Sequence, residues 1–104
     1  MLSVMKGIAV THLADVLVLD LSTGISGPYA TKLFADAGAE VVKVERPEVG
    51  DPIRHVSADG TTLSEDSALY RFLNAGKRLR TADLDSAVRV LAEPARYTVV
   101  DGDL

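Results

Sequence analysis

Two spacings of apolar residues organise the first half of the chain. Val16-Leu-Val-Leu-Asp-Leu21 is a continuous apolar run of strand length. Such a run suits a strand buried on both faces of a parallel sheet, whereas a half-exposed strand would alternate. Ser22-Thr-Gly-Ile-Ser-Gly27 reads as a turn of small residues, and Pro28 suits the first position of a helix. Ala30, Leu33, Phe34 and Ala37 then recur at i, i+3, i+4 and i+7, which predicts one apolar helical stripe. Gly38 supplies a left-handed helix stop. Val41-Val-Lys-Val44 predicts a second strand, closed by Pro47. The product is a β-turn-α-β unit with a right-handed crossover.

Residues 45–66 carry two prolines, two glycines and many charges, and predict a long polar loop. Ser64-Glu-Asp-Ser67 places a cap and acidic groups ahead of Leu69, Tyr70, Phe72 and Leu73, so a short helix is expected there. Asn74-Ala-Gly-Lys-Arg78 breaks it. Leu84, Ala87, Val88 and Leu91 predict another helix, ended by Pro94, and Tyr97-Thr-Val-Val100 a third strand. The order β-α-β-α-α-β predicts an α/β fold with an open three-layer arrangement. One domain over 1–104 is expected, with 1–12 as a lead segment.

Composition narrows the class. Of 104 residues, 47% are hydrophobic and 25% charged, which is ordinary for a globular domain and too apolar for a disordered one. With no cysteine there is no disulfide framework and no thiolate metal site. The net charge of -4 argues against general nucleic-acid binding, which needs a basic face. No apolar run is long enough to span a bilayer, and the first ten residues lack a signal-peptide core. A cytoplasmic soluble domain is the expectation.

Open parallel sheets bind ligands at the carboxyl ends of their strands. That edge should collect the Ser22–Pro28 turn, Glu45-Arg46 and Asp101. Gly24 and Gly27 do not complete GxGxxG, and Pro28 stands where GxSxG needs a glycine. Glu45 lies about 20 residues past the turn, where a ribose-binding acid would sit; the bland reading makes it a solvated strand end. Asp20 is expected to be held by the turn backbone. His12 and His55 read as solvated groups, and Lys77-Arg-Leu-Arg80 as either a phosphate-binding cluster or a solvated face.

Several blocks together resemble a known family. Leu13-Ala-Asp-Val-Leu-Val-Leu-Asp-Leu-Ser22, Gly27-Pro-Tyr-Ala30, Leu33-Phe-Ala-Asp-Ala-Gly-Ala-Glu-Val-Val-Lys-Val-Glu-Arg-Pro47 and Gly50-Asp-Pro-Ile-Arg54 resemble, in register, the opening of the class III CoA-transferases. Asn74-Ala-Gly-Lys-Arg78 resembles the family's Asn-x-x-Lys-Arg segment, and the α-methylacyl-CoA racemases share the pattern. The resemblance implies a Rossmann-like half-domain that helps bind coenzyme A or an acyl-CoA, with no covalently bound cofactor. It implies that Arg46 contacts the adenosine or phosphate part of CoA; the alternative is a surface pairing with Glu45, Glu48 or Asp51. It further implies that Thr81, Ala82, Asp83 and Leu84 line the adenine and that Ile25 approaches the thioester end.

The departures are informative. Asp85 stands where the family carries a lysine, and an acid there would repel the CoA phosphates. Val100-Asp-Gly102 stands in place of Glu-Asn-Phe. The family's catalytic aspartate, and the racemases' acid-base pair, lie beyond residue 104. The resemblance therefore implies a truncated or stand-alone CoA-binding half without catalysis of its own, completed by a homodimer or a second chain. Other expectations are one subunit of a split acyl-CoA enzyme, a small nucleotide-binding module using Glu45, or a purely structural interaction domain.

Overall fold

The structure, a computed structural model, describes residues 13–83, 85–86 and 97–99. The elements in order are β1 (Leu17–Asp20), α1 (Ser26–Asp36), β2 (Glu40–Glu45), a 3₁₀ turn (Pro52–His55), α2 (Ala68–Asn74), β3 (Arg78–Thr81) and β4 (Tyr97–Val99). The four strands form one sheet in the order β3-β2-β1-β4. All three pairings are parallel, with Leu17 opposite Glu40, Val42 opposite Arg78 and Val18 opposite Tyr97. The α/β class and the parallel sheet are therefore as the sequence predicts. The strand order reverses at β1, and ligands bind such sheets in the crevice at that reversal.

Two clusters make the core. Val18, Ala39 and Val41 pack with Leu13, Val16, Phe34 and Ala35 on the α1 side of the sheet. Leu19, Leu21, Val42 and Val44 pack with Leu17 and Ala82 on the other. Val41 to Glu45 are buried without a break, including the charged Lys43 and Glu45.

Four sequence expectations are corrected in detail. Helix α1 begins at Ser26, two residues before Pro28, which is tolerated because first-turn amides have no intrahelical partner. Its buried face is Gly27, Pro28 and Thr31, while Ala30 and Leu33 are exposed. Small residues on that face let the helix close on the sheet, and the Thr31 hydroxyl finds a carboxylate there. The chain breaks after Asn74 as expected, but residues 78–81, expected only as part of a basic cluster, form a strand. The segment after β2 is an ordered loop carrying a 3₁₀ turn and a Val56–Thr62 bridge, and Glu45 itself belongs to β2.

Gly38, at φ 104°, ends α1 as predicted, and Ser67 caps α2 by accepting from the Tyr70 N–H at 3.0 Å. The predicted helix over 84–91 lies outside the described residues apart from Asp85 and Ser86. So do the lead segment 1–12 with His12, and Val100 and Asp101.

Candidate functional site at the carboxyl edge of the sheet

Three chain segments leave the sheet side by side at its carboxyl edge. After β1 the chain turns through Gly24, at φ 82°, into Ile25 and the start of α1. After β2 it runs through Arg46 into the ordered loop. After β3 it continues through Ala82, whose N–H donates to the Glu45 carbonyl at 3.0 Å. With Glu45 opposite Thr81 in the ladder, Arg46 and the Thr81–Asp83 segment emerge next to each other. Arg46, Thr81 and Asp83 are exposed, and Ala82 is half-buried against the core. Ile25 is 55% exposed and lines, with Ile53, Val56 and Leu63 among others, a groove of about 540 Å³. Five of the six expected CoA contacts thus lie on one edge; Leu84 lies outside the described residues. Arg46 makes no ion pair with Glu45, Glu48 or Asp51 among the described residues, so the alternative surface pairing is absent.

Beneath this edge lies a layer of buried charge. Asp20 and Lys43 face each other across β1 and β2 on the α1 side. The Asp20 carboxylate accepts from the Ser22 N–H at 2.9 Å, from the Ser22 hydroxyl, and from the Thr31 hydroxyl at 2.7 Å. The Lys77 ammonium reaches it at 3.0 Å and also donates to the Asn74 side-chain oxygen and the Pro28 carbonyl. Burial alone would raise the Asp20 pKa; the hydroxyl bonds and the Lys77 and Lys43 charges outweigh it and hold the carboxyl below its ordinary value. Burial lowers the Lys77 pKa, although Asp20 opposes the shift. The expectation that the turn backbone holds Asp20 is met in part, by Ser22. Lys77 is corrected from a surface cation to a buried one, because it supplies the counter-charge Asp20 needs.

Glu45 is neither a solvated strand end nor available to a ribose. Its Oε1 accepts from Arg54 Nε at 2.8 Å and from the Asp51 N–H at 3.0 Å, and its Oε2 accepts from Arg54 at 3.0 Å and from the Tyr70 hydroxyl at 2.5 Å. Burial would raise its pKa, but the Arg54 and Tyr70 bonds dominate and lower it. Arg54 lies over the Tyr70 ring, 4.1 Å from its centre, and holds Asp66 with two bonds of 2.7 and 2.8 Å. Asp51 binds Lys43 at 2.8 Å, with both side chains fully buried. The Gly-Asp-Pro-x-Arg block is therefore a brace that fixes the loop after β2 to α2 and to the sheet.

Sequence reasoning missed this layer. Lys43 inside an apolar strand was the one legible signal, since a buried lysine needs a carboxylate. The partners, 8 residues away at Asp51 and 57 residues apart for Asp20 and Lys77, could not be paired without the fold. His55 is exposed, as expected. Among the described residues no group of acids and histidines is arranged to hold a metal ion.

Comparison with known proteins decides the family. The family model for CoA-transferase family III matches residues 13–91. The chain belongs to CoA-transferase family III. It is 44% identical over 78 residues to succinate–glutarate CoA-transferase of Agrobacterium fabrum, covering 69% of this chain and 19% of that protein. Identity to formyl-CoA:oxalate CoA-transferase of Escherichia coli is 41% over 68 residues, 65% of this chain and 16% of the relative. A crystal structure of a CAIB/BAIF family protein from Brucella suis superposes with a TM-score of 0.73 at 32% identity, covering 85% of this chain and 25% of that one. The chain thus spans about a fifth of the length of these curated relatives.

Proposed function

We propose that these residues form a half-site for coenzyme A or an acyl-CoA at the carboxyl edge of the sheet, and that they do not transfer acyl groups by themselves. Arg46 takes the phosphate or adenosine part, Thr81–Leu84 line the adenine, and Ile25 lies toward the thioester. The observation that carries this reading is the β2–β3 register, which brings exposed Arg46 next to the Thr81–Asp83 segment in the chain path. A fixed positive charge with five donors suits a phosphate. Family membership and the names of the relatives, which act on CoA thioesters, support the ligand class. Among the described residues, the buried carboxylates beneath the edge, Asp20, Glu45 and Asp51, support a half-site without catalysis of its own. Each is committed to a cation and to hydrogen bonds, so none is poised as a nucleophile.

The proposed location of the site is the cytoplasm; separately, among the described residues no helix is long and apolar enough to cross a membrane. A second copy or a second chain completes it. Ile25, Tyr29 and Leu33 recur every four residues along α1 and are about half exposed, as is Phe72 on α2. Exposed apolar residues grouped in this way mark a surface suited to interaction.

Calorimetric titration of the chain with CoA, with NAD as control, tests the reading. CoA is expected to saturate a single site and NAD to give no heat. Arg46→Ala should weaken CoA by about ten-fold or more, the scale of one lost charge-assisted contact. No CoA heat, or equal affinity of Arg46→Ala and the unaltered chain, would contradict it. The runner-up, a subunit of a split acyl-CoA enzyme, predicts acyl transfer only when a partner chain is co-expressed.

A further inference from the structure

Asp51 makes connections that an ion pair alone would not require. Its Oδ1 accepts from the Gly24 N–H at 3.1 Å and from the Ile53 N–H at 3.0 Å. Its own N–H donates to Glu45 at 3.0 Å. Its Oδ2 accepts no hydrogen bond among the described residues and lies 2.8 Å from the Lys43 ammonium, held by charge. Lys43 in turn donates to the Ser22 carbonyl at 2.9 Å. One buried carboxylate therefore ties together the turn after β1, the 3₁₀ turn and strand β2. The two amides it holds through Oδ1 belong to Ile53 and to the residue just before Ile25. Ile25 and Ile53 line the same groove of about 540 Å³.

From these contacts we infer that Asp51 is a positioning residue: its Oδ1 clasps the Gly24 turn to the 3₁₀ turn and so fixes the separation of the Ile25 and Ile53 walls of the groove. The inference deepens the reading of this edge as a CoA half-site and rests on it for the ligand. The Asp51–Lys43 charge pair and the Oδ1 clasp have separate duties. The pair neutralises a buried lysine, and the clasp sets the width of the groove. Aspartate and asparagine can both supply the clasp, because each offers a carbonyl-type oxygen at the same position.

Single replacement of Asp51 would strand the Lys43 charge in the core and could prevent folding. The test therefore uses the full chain with Lys43→Met as background, comparing Lys43→Met/Asp51→Asn with Lys43→Met/Asp51→Ala. Hydrogen exchange of the Gly24 amide by NMR and calorimetric titration with CoA are the readouts. The asparagine form should keep Gly24 protected and hold CoA affinity close to that of the unaltered chain. The alanine form should exchange Gly24 about ten-fold faster or more, with the amides of β1 and β2 unchanged, and bind CoA about ten-fold more weakly. Equal Gly24 exchange in the two forms would overturn the clasp. Faster Gly24 exchange with equal CoA affinity would overturn its positioning role. Failure of the unaltered chain to bind CoA would overturn the CoA reading instead, and Gly24 exchange would then decide the clasp alone.

Discussion

Lys43 and Lys77 carry their ammonium groups to places with no solvent contact, and each meets one carboxylate there, Asp51 and Asp20 respectively. Breaking such a pair leaves an uncompensated charge, so Lys77→Met should destabilise the chain by about 3 kcal/mol. Denaturant unfolding measures that loss, and an unchanged midpoint would contradict the assignment. Asp20 and Glu45 also set the acid limit of the fold. Their folded pKa values lie below the ordinary 3.8 and 4.5, so the unfolded chain takes up protons first as the pH falls. Their contribution is complete above about pH 5 and is lost progressively below it. Thermal midpoints should therefore fall steeply between about pH 5 and pH 3, and Glu45→Gln should flatten that fall. Of this layer, Lys43 was legible as an oddity within Val41–Val44. The Glu45–Arg54–Tyr70 cluster was not, because its members come from three elements whose proximity only the fold creates.

Elements were legible where burial is two-sided and obscure where it is not. β1 and β2 read directly from their apolar runs, as did the Gly38 and Ser67 boundaries. β3, Arg78-Leu-Arg-Thr81, is exposed along its whole length, so no apolar pattern marked it. The α1 stripe was misplaced because Gly27 and Thr31, which pack inward, are not apolar markers. The loop after β2 read as long and polar, yet its charges are the ones that brace it. Gly50 shows how tightly. It sits at φ 66°, and a Cβ there would stand 3.0 Å from Glu45 Oε1, an oxygen that Arg54 and the Asp51 N–H already hold. Gly24 has a similar φ of 82° but open space around it. Gly24→Ala should cost about 1 kcal/mol, for backbone strain alone. Gly50→Ala should cost about 2 kcal/mol or more, because the clamped carboxylate must also give way. Equal unfolding midpoints for the two would contradict the brace.

At the scale of the whole molecule, the exposed apolar residues Ile25, Tyr29, Leu33 and Phe72 predict association. Sedimentation of the purified chain should show a concentration-dependent mass above that of one copy, and Leu33→Glu should reduce it. A monomer at all concentrations with one cooperative thermal transition would contradict that expectation. The family was legible in the sequence because its blocks fall at places the fold cannot vary: the β1 run, the turn into α1, the end of β2 and its brace. The carboxyl edge was legible as a site only in outline. The resemblance proposed Arg46, Ile25 and Thr81–Leu84, and the parallel β2–β3 register explains how Arg46 and Thr81, 35 residues apart in sequence, come near each other there.

The most direct test of the central claim is amide chemical-shift mapping of the full chain on addition of CoA. The account predicts shifts concentrated at Ile25, Arg46 and Thr81–Asp83, with the core of β1 and β2 unmoved. Saturable shifts centred on any other surface, or no shifts at millimolar CoA, would contradict a CoA half-site at this edge.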